Sequence, residues 1–244
     1  MKTLVLIPSR LSAVRLPGKP LLKINGLSII SHVFKRAQEA NIGEVFVATE
    51  DQEIIDDIEH NGGQAILTST KHKTGTDRIF EALEKLNKKD IDFVMNLQGD
   101  EPLMNIEDIK NLHHLMIDTK SKIGTLASII KDKDFYKNQN IVKVITKDKL
   151  DYTKFSQAIN FTRKSKNTME NTYHHLGIYC YQIDTLKTFV SYDQSKNEIK
   201  NKLEQLRAID NDIIISIALA KSSPIGIDTK EDFMAIKKIM EYKS

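Results

Sequence analysis

Short apolar runs alternate along the first half of the chain with segments in which apolar residues recur at helical spacing. The apolar runs are residues 4–7, 45–48, 65–67 and 93–97. Helical spacing is found at residues 29–40, 54–58 and 79–86, where apolar side chains three or four positions apart share one helix face. A strand that is apolar throughout needs cover on both faces. The pattern therefore predicts a three-layer α/β/α fold with a mostly parallel, doubly wound sheet.

The pattern changes near residue 120. Strand-like runs at residues 123–130, 142–145, 176–181 and 213–220 follow one another with fewer helices between them. No linker rich in Pro, Gly or Ser separates the two halves, and no internal repeat is present. We therefore predict one domain, residues 1–244, with a β-rich insertion in its second half.

Composition excludes several classes of protein. The 36 Lys and Arg residues against 33 Asp and Glu residues give a net charge of +3, and they form no basic stripe that would follow a phosphate backbone. The single cysteine, Cys180, excludes an internal disulfide framework and a cysteine-rich zinc site. The apolar start is too short for a signal peptide, and no run approaches about 20 apolar residues. We expect a soluble cytoplasmic protein that binds neither nucleic acid nor membranes.

The loop after the first apolar run concentrates positive charge. Residues 8–20 hold Arg10, Arg15 and Lys19, in a chain that has only six arginines. In an open parallel sheet, ligands bind beyond the carboxyl ends of the strands. A nucleoside triphosphate carries about four negative charges, and its transfer reactions depend on neutralising them. The loop lacks the Walker pattern and the three glycines of a dinucleotide fingerprint, but its charges suit a triphosphate.

Two acidic residues are candidates for a metal site, although each has a simpler explanation. Asp100 follows the apolar run 93–97, where a Mg²⁺ ligand is expected, but Gly-Asp is also a common turn. Asp228 precedes a helix whose N-terminus Thr229 and Asp232 would cap with a capping box. A carboxylate is favourable there for electrostatic reasons alone.

Two further segments carry polar residues at places where a ligand could bind. Thr74 and Thr76 open a helix whose N–H groups could face an anion or a base, although helix capping explains them almost as well. His174 and His175 are adjacent, so they cannot share a strand face as a paired metal site. One of them could bond to a polyhydroxylated substrate or could be a core histidine. No Gly-x-Ser-x-Gly motif supports a hydrolase.

The order of short motifs along the chain is more specific than any one of them. They are R-L-S-A-V-R-L-P-G-K-P-L at 10–21, N-G at 25–26, V-A-T at 47–49, T-G-T-D-R at 74–78, N-L-Q-G-D-E-P at 96–102, H-L-G-I-Y at 175–179, L-E-Q-L-R at 203–207 and I-D-T-x-E-D at 227–232. Together they resemble the 3-deoxy-manno-octulosonate cytidylyltransferases, a family of sugar nucleotidyltransferases, over essentially the whole chain. The resemblance implies a fold like that of the nucleotide-diphospho-sugar transferases.

The resemblance also implies a reaction. The anomeric hydroxyl of 3-deoxy-D-manno-octulosonate (Kdo) would attack the α-phosphorus of CTP, giving CMP-Kdo and diphosphate for lipopolysaccharide biosynthesis. Mg²⁺ would be required. Residues 1–120 would form the CTP-binding half, and residues 121–244 would bind the sugar and form a homodimer.

Site residues follow from the matching positions of the motifs. The residues expected to bind CTP are Arg10, Arg15, Lys19, Thr76 and Arg78. Those expected to bind Mg²⁺ are Asp100 and Asp228, which together with Arg10 and Lys19 form the expected catalytic set. Those expected to line the sugar pocket, where hydroxyl groups need donors and acceptors, are Gln98, His175, Tyr179, Glu204 and Gln205.

This sequence departs from the family pattern at three positions. Gln157 stands where the family has an arginine that pairs with the sugar carboxylate, and Arg163 is the nearest arginine that could replace it. Glu50 and Asp77 are conservative changes. The substitution at Gln157 keeps open a related sugar acid as substrate, such as an 8-amino or sialic-type acid. A nucleotide-sugar binding protein without turnover is a second alternative, although the retained acids Asp100 and Asp228 argue against it.

Overall fold

A computed structural model of the chain describes residues 1–12, 15–131, 134–164, 170–224 and 226–242. These residues form two compact units. The N-terminal unit comprises the described residues within 2–91, 95–109 and 224–244, and the central unit comprises those within 92–94 and 110–223 together with Met1.

Strands and helices alternate along the described residues. The strands are β1 (Thr3–Ser9), β2 (Lys23–Ile24), β3 (Leu27–Ser28), β4 (Glu44–Thr49), β5 (Ala65–Leu67), β6 (Phe93–Asn96), β7 (Ile123–Ser128), β8 (Lys143–Thr146), β9 (Ser156–Thr162), β10 (Thr172–Gln182) and β11 (Ile215–Leu219). The α-helices are α1 (Ile29–Ala40), α2 (Gln52–His60), α3 (Gly75–Leu86), α4 (Ile106–Thr119), α5 (Asp134–Lys137), α6 (Ile183–Ser191), α7 (Lys196–Asn201), α8 (Leu206–Asp210) and α9 (Lys230–Glu241). Lys19–Leu21 forms a 3₁₀ helix. No helix in the described ranges is both long and apolar enough to cross a membrane.

The N-terminal unit has the parallel α/β arrangement that its apolar runs predict. Its strands lie in the order β5-β4-β1, with the second half of β6 next to β1, and β4 pairs in parallel with β1 and with β5. The apolar residues of β1 and β6 are buried, and α1 and α3 both pack against β1. The carboxyl ends of β1 and β4 therefore lie side by side, and the loops that follow them carry the candidate residues.

The C-terminal helix belongs to the N-terminal unit. Ile227 and Ile236 are buried in one cluster with Ile24 and Ile29. This apolar face holds the segment around Asp228 in the unit that also contains Asp100. The structural division therefore does not coincide with a boundary at residue 120, and the assignment of the whole chain to one domain stays a prediction.

The central unit is β-rich, as the second half of the sequence predicts. Its strands lie in the order β10-β7-β11-β9-β8, and β8 pairs in addition with β10. β7 is antiparallel to β10 and parallel to β11. β9 is antiparallel to both β8 and β11. The mixed α/β fold is thus confirmed, with its parallel pairs mainly in the N-terminal unit.

The apolar pattern does not predict β9. In this strand Ser156, Ala158 and Phe161 are buried, whereas Gln157 and Ile159 are exposed. A polar residue, Ser156, thus occupies a buried position, and an apolar residue, Ile159, faces solvent. Pairing with strands on both sides makes this segment a strand, and such pairing is a long-range effect that local periodicity does not report.

Candidate active site

Two hydrogen bonds hold the loop after β1, one to the segment that follows β4 and one within the loop itself. The backbone N–H of Leu11 donates to Asp51 Oδ2 (2.7 Å), and that of Gly18 donates to Leu11 O (3.2 Å). Gly18 has a φ of 68°, a left-handed conformation that a Cβ atom would strain. These contacts lead the chain into the 3₁₀ helix that begins at Lys19. Ala13 and Val14, which belong to the arginine-containing motif, lie outside the described residues.

Lys19 lies between the two acids proposed to bind the metal. Its Nζ atom is 2.7 Å from Asp100 Oδ2 and 3.4 Å from Asp228 Oδ1. Arg15 contacts the other oxygen of Asp228 at 2.9 Å. Two carboxylates that are distant in sequence therefore meet at one ammonium group, as the combination of motifs leads us to expect.

Close backbone packing brings these two acids together. A Cβ atom on Gly99 would lie 2.9 Å from the carbonyl oxygen of Pro8, at the end of β1, so only glycine permits this approach. The backbone N–H of Ile227 donates to the carbonyl oxygen of Asp100 (2.9 Å). This bond places Asp228 beside Asp100.

The predicted capping box holds the segment after Asp228. The hydroxyl of Thr229 accepts from the backbone N–H of Asp232 (3.2 Å), and Asp232 Oδ2 accepts from the N–H groups of Asp228 (3.1 Å) and Thr229 (2.9 Å). The cap satisfies the first N–H groups of α9. Because Asp232 serves the cap, the Asp228 side chain is available to Lys19 and Arg15.

Glu101 is a third carboxyl group at this site, and sequence reasoning missed it. Its Oε2 atom is buried and has no hydrogen-bond partner among the described residues. Burial, together with repulsion from Asp100 and Asp228, raises its pKa to about 8 against the opposing attraction of Lys19. Glu101 is therefore mostly protonated at neutral pH, and two rather than three negative carboxylates face Lys19. Its place next to Asp100 in the motif is the only sequence signal for it.

The chemistry of these acids fits Mg²⁺. This ion takes one or two carboxylates and completes its shell with water and substrate phosphate oxygens. Asp100 and Asp228 offer oxygen donors that converge on the same cation. Within the described ranges, no group of three or more His, Cys, Asp or Glu side chains is arranged to hold a metal ion.

The remaining residues expected at CTP differ in their surroundings. Arg10 is exposed directly after β1. Thr76 and Arg78 are buried in α3, and Arg78 donates to Thr68 Oγ1 (2.7 Å) and pairs with the carboxylate of Glu50. The guanidinium of Arg78 is therefore engaged by protein groups, and its contact with the nucleotide stays a prediction.

Glu50, which in sequence is only a conservative change from the family pattern, is the ion-pair partner of Arg78. It pairs with Arg78 across the ends of β4 and α3. Thr74 caps α3 by accepting from the N–H of Asp77 (3.2 Å), so the capping explanation for this segment is confirmed. The ion pair and the cap together fix the start of α3 beside the end of β4.

The central unit brings His175 and Tyr179 together on β10. Their ring centroids are 5.4 Å apart. The Tyr179 hydroxyl is buried without a hydrogen-bond partner among the described residues. Burial raises the pKa of Tyr179 well above its usual value, and the nearby Tyr181 and Glu204 raise it further. This phenol therefore keeps its proton and is ready to donate to a ligand oxygen.

Glu204, Gln205 and Gln98 complete the residues expected at the sugar. Glu204 is half-buried and lies close enough to raise the pKa of Tyr179. Gln205 is half-buried at the N-terminus of α8. Gln98 is also half-buried, but it belongs to the N-terminal unit together with Asp100.

Gln157 and Arg163 differ in their exposure and in their hydrogen bonds. Gln157 is exposed on β9, opposite Ser216 of β11. Arg163 donates to the backbone carbonyl oxygens of Gln139 and Asn140 (both 3.3 Å) and of Lys202 (3.4 Å). Its guanidinium ties two backbone segments together, residues 139–140 and Lys202, which gives no support to its replacing the missing arginine.

The comparisons with known proteins agree with the motifs. A family model described as cytidylyltransferase matches residues 4–217. The 3-deoxy-manno-octulosonate cytidylyltransferase of Thermodesulfovibrio yellowstonii is 44% identical, with 98% of each chain covered. The enzyme of the same name from Afipia carboxidovorans is 42% identical, with 98% of this chain and 96% of the relative covered.

A solved structure is similar over the same extent. It is that of CMP:2-keto-3-deoxy-manno-octonic acid synthetase complexed with CTP, with a TM-score of 0.89, 32% identity and all of both chains covered. Sequence and fold thus lead to the same group of enzymes. The chain therefore belongs to the 3-deoxy-manno-octulosonate cytidylyltransferase family.

Proposed function

We propose that the protein transfers the cytidylyl group of CTP to Kdo, giving CMP-Kdo and diphosphate. The observation that carries the proposal is the position of Lys19 between Asp100 and Asp228, with Arg15 on the other side of Asp228. Cationic and acidic side chains alternate there, as a triphosphate and its counter-ion require. Relatives that carry the name of this activity support the choice of substrates.

The proposed reaction exchanges a phosphoanhydride bond of CTP for a phosphoester bond to the sugar. The anomeric hydroxyl of the sugar acid loses its proton to solvent as its oxygen bonds to the α-phosphorus, the bond between the α-phosphorus and the oxygen that bridges it to the β-phosphorus breaks, and diphosphate leaves. Lys19 and Arg10 would bind the phosphate oxygens, because an ammonium has three donors and a guanidinium five. Arg15 would add charge beside Asp228.

Asp100 and Asp228 would hold Mg²⁺ together with CTP. When bound, the ion supplies charge neutralisation at the phosphate oxygens and orients the reacting groups. Glu101, whose pKa burial raises to about 8, would add little negative charge of its own beside Asp100 and Asp228.

On the sugar side, the proposal uses side chains with complementary hydrogen-bonding roles. Tyr179 offers a donor and Glu204 an acceptor. His175, Gln205 and Gln98 would add contacts to the remaining hydroxyl groups. Thr76 and Arg78 would support the cytidine site from the start of α3.

The proposal extends to the setting of the enzyme. The family resemblance supports a homodimer, a cytoplasmic location and the supply of activated Kdo for lipopolysaccharide synthesis. The proposed function involves no nucleic-acid or membrane partner.

A related sugar acid remains the second candidate substrate. The observation in its favour is that Gln157 is exposed and neutral while Arg163 is bonded to three backbone carbonyls. A substrate with an amino group, or with its carboxylate bound elsewhere, would need less positive charge at position 157.

Diphosphate release tests both candidates. The protein is mixed with CTP and Mg²⁺ and with Kdo, 8-amino-Kdo or a sialic acid in turn, and the initial rates are compared. We expect the highest kcat/KM with Kdo. A higher kcat/KM with the amino or sialic-type acid would select the second candidate, and the absence of diphosphate with every acid would refute the enzymatic proposal.

A further inference from the structure

Thr125 of β7 lies at an irregularity in the strand beside it. Leu176 of β10 pairs with Leu126, but the next paired residue of β10, opposite Thr125, is Tyr179. Gly177 and Ile178 are therefore extra residues, and they bulge from the ladder. Thr125 is completely buried against this bulge.

The hydroxyl of Thr125 has three close polar neighbours. Its Oγ1 atom is 2.5 Å from the carbonyl oxygen of Ile178 and 3.2 Å from that of Leu176. It is also 3.1 Å from Nε2 of His175. A threonine hydroxyl has one proton, and carbonyl oxygens only accept. The proton must therefore point towards the carbonyl groups.

The direction of the Thr125 proton determines which atom donates in the hydrogen bond between Thr125 and His175. Since the hydroxyl proton is used by the carbonyls, Oγ1 can only accept from His175, and Nε2 must carry a proton. Burial, with a smaller effect from His174, lowers the pKa of His175 to about 3, so its ring holds a single proton at neutral pH. That proton is on Nε2, and Nδ1 has a free lone pair.

We infer that Thr125 is a positioning residue that holds His175 as the Nε2–H tautomer, so that Nδ1 accepts a hydrogen bond from a hydroxyl group of the sugar acid. The inference rests on the proposed function for its ligand, but not for the tautomer. Tyr179, whose ring is 5.4 Å from that of His175, retains a proton and donates. An acceptor beside a donor is complementary to sugar hydroxyl groups, each of which can do both.

The tautomer is measured without substrate. The protein is labelled with ¹⁵N in its histidine rings, long-range ¹H–¹⁵N spectra are recorded at pH 7, and the signal that disappears in His175→Asn identifies His175. We expect the pattern of a neutral ring protonated at Nε2. A ring protonated at Nδ1, or at both nitrogens, would overturn the inference whatever the enzyme acts on.

Kinetics of two Thr125 variants test the link to the sugar. Thr125→Val keeps the shape but removes the hydroxyl, and we expect the KM for Kdo to rise about 10-fold, the value of one lost hydrogen bond, with the KM for CTP unchanged. Thr125→Ser retains the hydroxyl and should stay within about 2-fold of wild type. Equal rises in both KM values, or no rescue by serine, would mean that Thr125 is only structural and would refute the positioning role.

The two measurements separate the inference from the proposed function. Wild-type protein that has the Nε2–H tautomer but releases no diphosphate with any sugar acid would refute the proposed function alone. If Thr125→Val does not fold, the wild-type spectrum and the kinetics of Thr125→Ser still test whether Thr125 holds His175 as the Nε2–H tautomer. A serine variant with the Nδ1–H tautomer and unchanged KM for Kdo would refute the inference.

Discussion

The guanidinium of Arg207 and the carboxylate of Glu198 form a bidentate ion pair that is almost completely buried. Arg207 Nε donates to Glu198 Oε2 (2.9 Å), and Nη2 donates to Oε1 (2.7 Å). The guanidinium also lies 4.7 Å from the ring centroid of Phe189. Arg207 closes the motif that carries Glu204 and Gln205, so the pair fixes the segment that brings these residues to the proposed sugar site.

Removing one partner of this pair should destabilise the protein strongly. Arg207→Leu leaves the Glu198 carboxylate buried without its counter-ion, which typically costs about 3–5 kcal/mol of unfolding free energy. Urea unfolding followed by circular dichroism measures the change. The double variant Arg207→Leu/Glu198→Leu should recover part of the loss, because it buries no unpaired charge.

The matched control is an exposed pair in the same unit. Lys187 and Asp184 are 3.3 Å apart at the surface of α6, and Lys187→Leu should change the unfolding free energy by less than about 1 kcal/mol. Equal effects of Arg207→Leu and Lys187→Leu would contradict a special role for the buried pair.

Stability should fall as the pH is lowered below 6.5, partly because of His175. Burial and His174 lower its pKa from 6.5 to about 3, so between these values the unfolded chain binds a proton there that the folded chain does not. Stability therefore rises with pH across this window. His175→Asn should make the fall on acidification shallower, by up to about 1.4 kcal/mol per pH unit.

Unfolding free energies measured at intervals from pH 6.5 to 4 test this effect. His60→Asn, at the exposed end of α2, is the control and should keep the wild-type slope. An unchanged slope in His175→Asn would show that His175 takes up its proton equally in both states.

The sequence predicts the N-terminal strands well, because burial leaves a pattern of consecutive apolar residues. β1 and β6 are buried, so consecutive residues in them are apolar at 4–7 and 93–95, and this pattern is visible locally. The meeting of Asp100 with Asp228 becomes predictable only when the motifs are taken together, because each acid alone also fits a turn or a helix cap.

Contacts between distant segments account for what the sequence did not predict. Arg78 lies in the first turn of a helix whose start suits either capping or ligand binding, and only its ion pair with Glu50, which directly follows β4, shows that its guanidinium is engaged. The bulge opposite Thr125 and the burial of Glu101 likewise depend on neighbouring strands and loops. Local periodicity does not contain this information.

Adding a methyl group at Gly99 should impair activity. In Gly99→Ala the Cβ atom would lie 2.9 Å from Pro8 O and 3.0 Å from Ile30 Cδ1, so the backbone that carries Asp100 must shift. Overpacking of this kind costs about 1–3 kcal/mol, and a shift of about 1 Å at the site lowers kcat by up to about 100-fold. Initial rates of diphosphate release and urea unfolding measure the two effects.

Gly226 provides the control for this substitution. A Cβ atom there would meet Glu101 Cγ at 3.6 Å, which is ordinary contact, so Gly226→Ala should retain activity within a few-fold and stability within about 0.5 kcal/mol. If both alanine variants behave alike, close approach at Gly99 does not position Asp100.

Neutralising Asp100 should remove turnover while the fold is kept. Asp100→Asn retains the size of the side chain but loses the charge that faces Lys19, and we expect kcat to fall by at least about 100-fold because charge stabilisation of the phosphates is lost. Rates of diphosphate release at several Mg²⁺ concentrations measure this change. Asp118→Asn, at an exposed position of α4, should have wild-type rates. Wild-type dependence on Mg²⁺ in Asp100→Asn would exclude Asp100 as a ligand.

Restoring the family's arginine should strengthen sugar binding if position 157 faces the sugar carboxylate. Gln157→Arg replaces a neutral donor with a charged, bidentate one, and a charge-assisted bond of about 1.5–3 kcal/mol would lower the KM for Kdo about 10-fold or more. The KM for CTP should not change. Asn160→Arg adds the same charge at another exposed position of β9 and should leave both KM values as they are. A KM for Kdo that is unchanged in Gln157→Arg would show that the carboxylate is bound elsewhere, and equal decreases in both variants would indicate a general effect of charge.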